Sequence, residues 1–409
     1  MRLAFLTHEP FHPPSGGGSA EAVYLVEEFV RRGHEVHLFG PEFPDSAVVA
    51  SRMGFTVHPF RRWRMGRYAR SRNLKYLLYP GALVQLVRSV VADLRAADPG
   101  FRFDLLLAQH TISAVAAGRL KRELDVPIVL NFLDYLTGFM ETWPVWSMPR
   151  PVVRALTRFE LSLPRRFDAD GILTVSTPLA ERFAATGFPG DRIRAIHYGY
   201  DARRFVPGAG PALETDPIVV MHGSFDRHHL GAIARETVLR VTAARPGTRF
   251  RFVGQRTPGL ERFSRDLRRM APDARVELPG FVPYDAVCRE LQGAAVGLVP
   301  YEESNGTHCA FVAKAVEYLG CGIPVASTPI ENLRRYFGNE LAVRFSSRFD
   351  GADLAAVVLA WLETPLAERW RLGRAASERV LRDLDWSVVT RNAAGFIETI
   401  AAARTGAAG

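Results

Sequence analysis

A chain of 409 residues, 47% hydrophobic and 23% charged, is too long for one compact core and too apolar for disorder, so two domains of similar size are expected. Its formal charge of +9 comes from 52 basic against 43 acidic residues, and every basic residue except Lys75, Lys121 and Lys314 is arginine. No acidic residue lies between Asp45 and Asp93, an interval holding Arg52, Arg61, Arg62, Arg64, Arg67, Arg70, Arg72, Lys75 and Arg88. Those nine charges equal the net charge, so the remainder sums to neutral; a general nucleic-acid coat is excluded and a local basic patch is expected. Cys288, Cys309 and Cys321 show no CxxC spacing, so neither a zinc site nor a disulfide framework is indicated, and a reducing compartment fits. The apolar run Arg2–Leu6 is shorter than a signal-peptide core, and no stretch approaches the ~18 apolar residues of a membrane span. A cytoplasmic protein is expected.

Strands are predicted over Arg2–Thr7, Glu35–Phe39, Leu105–Ala108, Ile128–Phe132, Gly171–Val175 and Arg194–His197. Between the first two, Ala20, Val23, Tyr24, Val26, Phe29 and Val30 recur at helical spacing, and Gly33 closes that helix. Leu83–Leu94 reads as an amphipathic helix that either packs on the N-terminal sheet or touches lipid. The aperiodic stretch Pro207-Gly208-Ala209-Gly210-Pro211 reads as a linker. A second series follows, with strands over Ile218–Met221, Phe250–Val253, Val276–Leu278, Val296–Val299 and Pro324–Ala326. The class is therefore α/β: two Rossmann-like, doubly wound domains facing across a cleft, where such folds bind ligands. The expected division is an N-terminal domain 1–206, a linker 207–216, a C-terminal domain 217–385, and a helix 386–409 packing back toward the N-terminal domain.

Three segments carry chemistry. Pro13-Pro14-Ser15-Gly16-Gly17-Gly18-Ser19 stands at a strand-to-helix turn, where backbone N–H groups of Gly16 and Gly17 can face an anion; a plain flexible loop is the alternative. His222-Gly223-Ser224-Phe225-Asp226-Arg227-His228-His229 follows the first strand of the second half. In the third, the polar loop Ser304-Asn305-Gly306-Thr307-His308-Cys309 leads into a helix carrying Lys314 and Glu317 on one face. These two are either a solvated surface ion pair or part of a ligand site, with the preceding loop able to cradle phosphate and the carboxylate able to accept both hydroxyls of a ribose.

Taken in order, these segments resemble the nucleotide-sugar glycosyltransferases of the GT-B fold, particularly the large retaining group with a Glu-x7-Glu motif (family 4-like). The resemblance is carried by the glycine loop, Arg32-Gly33-His34-Glu35-Val36, Asp170-Gly171-Ile172-Leu173-Thr174-Val175-Ser176, and His197-Tyr198-Gly199-Tyr200-Asp201 through Phe205-Val206-Pro207. Phe252-Val253-Gly254, Leu278-Pro279-Gly280-Phe281-Val282 and Glu317-Tyr318-Leu319 complete it. It implies a metal-independent hexosyltransferase without a cofactor, taking a nucleotide sugar as donor and a hydroxyl as acceptor. Glu317 corresponds to the second motif glutamate, which holds the donor ribose. Cys309, beside His308, stands where the first glutamate belongs, which leaves sugar identity and stereochemistry open, with retention favoured over inversion. Lys314 is a leaving-group stabiliser by this resemblance. Ser224 occupies the usual arginine position of the phosphate-binding pair, so Arg227 is the substitute, with His228 and His229 behind it and more simply read as solvated. The expected donor-binding set is Gly16, Gly17, Gly223, Arg227, Phe281, Asn305, Gly306, Thr307, His308, Lys314 and Glu317.

Asp134, after the strand Ile128–Phe132, matches the aspartate of a strand end that reads His-Asp in relatives, with Leu133 replacing the histidine. Asp134 can serve as general base or merely as a turn residue, and His110 can face the donor sugar or play a structural part. Arg61, Arg62, Trp63, Arg64 and Arg67 mix charge with an aromatic ring, which suits an anionic membrane surface, a lipid-linked acceptor diphosphate or plain solvent. The partners expected are a nucleotide sugar and a hydroxyl acceptor, lipid-linked or otherwise anionic, at the inner face of a membrane, in cell-envelope or polysaccharide synthesis. A nucleotide-sugar epimerase of the same fold and a nucleic-acid-binding module using residues 52–88 are the alternatives.

Overall fold

The computed structural model describes residues 1–14, 17–61, 75–146, 148–210 and 216–406. The chain divides into two units. The first comprises Met1–Asp134, Arg154–His197 and Val389–Gly409; the second comprises Tyr135–Val153 and Tyr198–Val388. Of the glycine-rich stretch at 207–216, residues 211–215 lie outside the described ones.

The first unit holds a seven-stranded parallel sheet of β1 (Arg2–Leu6), β2 (Glu35–Pro41), β3 (Thr56–Phe60), β4 (Leu105–Gln109), β5 (Ile128–Phe132), β6 (Gly171–Thr174) and β7 (Ile193–Ala195). The order is β3-β2-β1-β4-β5-β6-β7. Central strands such as Leu105-Leu106-Leu107-Ala108 are continuously apolar because helices cover both faces of the sheet. Leu3, Phe5, Leu105, Leu107 and Val129 pack with Val26 and Phe29 of the helix Gly17–Arg31. Ala393, Ala394, Phe396 and Ile397, from the last helix Trp386–Gly406, join the same core. Because the chain winds from β1 outward to β2 and then returns to β4, the loops after β1 and β4 part at the carboxyl edge and leave a crevice there.

Contrary to the expectation that no stretch approaches a membrane span, the helix Lys75–Ala97 is long and apolar enough, by length and composition, to cross a membrane. It buries Leu83, Val84, Val87 and Val91. Arg88 on the same helix holds Glu123 of the helix His110–Leu124 through paired hydrogen bonds of 2.9 and 2.7 Å. It thus covers the sheet of the first unit.

The second unit repeats the plan with β8 (Ile218–His222), β9 (Arg249–Val253), β10 (Arg275–Gly280), β11 (Val296–Val299), β12 (Val325–Ser327) and β13 (Val343–Phe345), in the order β10-β9-β8-β11-β12-β13. Two strands were absent from the sequence reading, β3 and β13. Both are sheet edges, so neither needs the continuous apolar run that marks a strand buried on both faces, and β3 even carries Pro59.

Gly297 in β11 lies under the ring of Tyr318, and a Cβ at that position would sit 2.3 Å from the ring. The missing side chain lets Tyr318 lie against the sheet and accept a hydrogen bond from the backbone N–H of His222 at the end of β8, at 3.0 Å. Gly297→Ala should therefore displace Tyr318 and destabilise the chain by about 1–3 kcal/mol, read as a lowered melting temperature by calorimetry.

Candidate active site

In the second unit the helix Ala313–Gly320 presents two buried ionisable groups. Glu317 Oε2 lies 2.5 Å from His222 Nε2, so the last residue of β8 fixes the carboxylate. Lys314 Nζ has no hydrogen-bond partner among the described residues. It sits 5.1 Å over the ring of Tyr301, and a Cβ on Gly223 would lie 3.9 Å from it. Gly223 itself has φ +103, a conformation that keeps this strand-to-loop turn bare of side chain. Burial pushes the Lys314 ammonium down to about 7, with Asp226 and Glu317 pulling the other way. The pair is therefore not a solvated surface ion pair: both are buried, and Glu317 is held by a histidine instead. A buried cation without a hydrogen-bonded partner beside an open backbone turn is suited to an anion brought in by a ligand.

The loop after β8 is packed more tightly than its sequence suggests. The rings of His228 and His229 pack tilted against each other, with centres 3.9 Å apart, and His229 meets Tyr301 edge-on at 4.5 Å. Burial lowers His228 to about 4 and His229 is buried, so these are packed rings rather than solvated ones. Arg227 is exposed on the same loop, and Phe281 is exposed beyond β10. In the short helix Asn305–Cys309, Asn305 donates from its backbone N and Nδ2 to Glu141 at 2.9 and 2.7 Å, and Gly306 meets the backbone of Gly138 and Phe139. Thr307 donates to the Glu302 carbonyl at 2.8 Å, and His308 Nδ1 accepts from the backbone of Glu331 at 3.3 Å. Those two side chains are thus committed to the protein, while Lys314, Glu317, His222 and Gly223 come together. His222 gives no local sign of this role, because only the fold brings the end of β8 to a helix some ninety positions later; its place as the last residue of a strand is the available signal.

In the first unit the crevice after β1 and β4 gathers His8, Glu9, Gly18 and His110. His110 adopts φ +64, a left-handed conformation that costs a non-glycine residue about 1–2 kcal/mol. Its Nε2 lies 4.0 Å from Glu9 Oε2 and has no hydrogen-bond partner among the described residues. A Cβ on Gly18 would lie 2.8 Å from that nitrogen. The ring of His8 meets it edge-on at 5.3 Å, and burial lowers both imidazoles. Gly17 opens the helix Gly17–Arg31, and Asp134 stands exposed two residues beyond β5. Arg61 is exposed; Gly16, Arg62, Trp63, Arg64 and Arg67 lie outside the described residues.

Two family models match the chain, Glycosyltransferase Family 4 over residues 15–204 and a glycosyl transferase-like model over residues 232–394. The chain is a glycosyltransferase with the GT-B fold, similar over its first half to Glycosyltransferase Family 4. A curated relative, the GDP-mannose-dependent alpha-mannosyltransferase of Mycolicibacterium smegmatis, is 26% identical over 99% of both chains. The fold is shared with sucrose-phosphate synthase of Thermosynechococcus elongatus (17% identical, 98% of this chain and 99% of that one, TM-score 0.76). It is also shared with HepE of Anabaena solved with UDP and glucose (16% identical, 97% and 99%, TM-score 0.70).

For this glycosyltransferase, Lys314→Met should separate binding from stability. The variant loses an ammonium that costs the free chain desolvation, so its melting temperature should hold or rise, while nucleotide-sugar affinity should fall about tenfold or more. A titration in the wild type should show the same group. The folded chain releases the Lys314 proton near pH 7 and the unfolded chain only near 10, so stability of the free protein rises with pH across that window. A bound diphosphate raises the lysine again, so binding takes up a proton, and affinity should weaken as pH climbs above about 7. Calorimetry in buffers of different ionisation enthalpy reads that uptake directly, and it should vanish in Lys314→Met.

Proposed function

We propose that the enzyme transfers a hexose from a nucleotide sugar, GDP-mannose by preference, to a hydroxyl of an anionic or lipid-linked acceptor, with retention at the anomeric carbon. The observation that carries this reading is the buried ammonium of Lys314 beside Gly223, one helical turn from the His222-held carboxylate of Glu317. In this reading Lys314 takes up the charge that develops on the diphosphate as the glycosidic bond breaks, and Glu317 accepts the ribose hydroxyls. His222 keeps the carboxylate in one orientation. The name of the mycolicibacterial relative supports the mannosyl donor, and the resemblance to the retaining group supports retention. The first motif glutamate is replaced by Cys309, which is fully buried, so contacts to the sugar come from other groups; His110 is the candidate.

The acceptor belongs to the first unit in this reading, with Asp134 as the group that takes its hydroxyl proton. The arginine-rich segment from Arg61 to Arg67 serves an anionic headgroup at the inner membrane face. Metal independence and a cytoplasmic location are parts of the same proposal.

The test is thermal shift against a panel of sugar nucleotides, followed by calorimetry, since a ligand bound only by the folded state raises its apparent stability. GDP-mannose should give the largest shift, and Glu317→Ala should lower its affinity by about 1.5–3 kcal/mol, the value of hydrogen bonds to a charged group. Unchanged affinity in Glu317→Ala would remove the donor site from this helix, and a larger shift with UDP-glucose would replace the mannosyl donor. The anomeric configuration of the product by NMR decides retention.

A further inference from the structure

Beneath the glycine loop of the first unit lies a buried polar network that the transfer chemistry does not use directly. Gln109 ends β4, and Asn131 is its register partner on β5, so their side chains emerge on the same face of the sheet. Leu6 pairs with Ala108, which brings Thr7, one step further along β1, beside Gln109. Glu21, from the second turn of the helix Gly17–Arg31, reaches into this row. Its carboxylate accepts from Gln109 Nε2 at 2.8 Å and from Asn131 Nδ2 at 2.8 and 3.0 Å. Gln109 Nε2 also donates to the Gly18 carbonyl at 2.9 Å, and Gln109 Oε1 accepts from the Thr7 hydroxyl at 2.9 Å. Thr7, Glu21, Gln109 and Asn131 are each at most 4% exposed.

Four buried polar side chains are an expensive way to fill the space between a helix and a sheet, since apolar groups of similar volume serve stability as well or better. What the network does supply is directionality. It ties together the ends of three neighbouring strands and the first turn of the helix that follows the glycine loop. The residue next to Gln109 is His110, whose left-handed backbone needs an outside constraint to persist, and whose Nε2 points at Gly18. Gly18 is itself fastened to Gln109 through its carbonyl.

We propose that Glu21 is a positioning residue for glycosyl transfer, acting through Gln109 to hold the His110 imidazole and the Gly17–Gly18 turn in register with each other. The inference rests on the reading of His110 and the glycine loop as parts of the transfer site. Burial raises the Glu21 carboxyl to about 7 even against the amide donors, which marks how far this group is removed from solvent.

The experiment compares wild type with Glu21→Gln, Glu21→Gln/Asn131→Asp and His110→Ala in the full chain. The double variant reverses the hydrogen bond between positions 21 and 131, so that the new amide donates to the new carboxylate, while the amide oxygen at position 21 still accepts from Gln109 Nε2. The first readout needs no substrate: the imidazole 1H–15N correlation of His110, assigned by its loss in His110→Ala. It should shift in Glu21→Gln and return toward the wild-type position in the double variant, while those of His228 and His229 stay in place. The second readout is nucleotide release from GDP-mannose. Glu21→Gln should lower kcat about 10- to 100-fold with KM within about twofold, and the double variant should recover most of the loss. An unmoved His110 resonance, or a loss of turnover that merely follows the loss of folded protein by circular dichroism, overturns the proposal. Undiminished turnover in His110→Ala overturns instead the reading of His110 on which it rests.

Discussion

Parallel strands covered on both faces can carry almost no polar side chain along their length, and this constraint governs where chemistry stands in the molecule. In the central strands polar groups gather mainly where the strands end, at the carboxyl edge, and there each must find a partner or leave one to be supplied. β8 is apolar until His222 and β4 until Gln109, and in β1 the residues Leu3 to Leu6 are apolar up to Thr7 just beyond the strand. Both units follow the same rule with different outcomes. In the second, His222 anchors Glu317, and Lys314 Nζ has no hydrogen-bond partner among the described residues. In the first, Thr7, Gln109 and Asn131 are satisfied together by Glu21 and the Gly18 carbonyl, while beyond them His8 Nδ1 and His110 Nε2 have no hydrogen-bond partner among the described residues.

This contrast explains how a glycosyltransferase can divide its labour. A buried ammonium costs stability in the free chain and recovers it when an anion arrives, which suits a donor site that must recognise a diphosphate. A closed hydrogen-bond network recovers nothing on binding but holds geometry, which suits the part of the site that must aim a ring and a turn. Small residues make both possible. Gly297 lets Tyr318 lie flat enough to meet β8, and Gly18 allows the helix start to approach His110 and Glu9 within a distance no side chain would tolerate.

Much of the fold was legible in the chain because central parallel strands are written as short apolar runs, and the helix that carries Lys314 and Glu317 announces itself by its polar lead-in and closing glycine. The edges β3 and β13 were not, since half-exposed strands lack that mark. His228 and His229 read as solvated, yet both meet Tyr301 edge-on and His228 packs against Phe139, contacts made by residues distant in sequence.

The sequence by itself determined the two parallel α/β sheets, the glycine turn before the first helix, and the spacing that sets Lys314 and Glu317 on one helical face. Periodicity and turn chemistry are local, and they survive without knowledge of neighbours. Tertiary structure decided what those groups face: that Glu317 is gripped by His222, that Lys314 is desolvated, and that Glu21 bridges β4 and β5. Burial and partnership depend on which strand ends the winding order brings side by side, and no local pattern records that order.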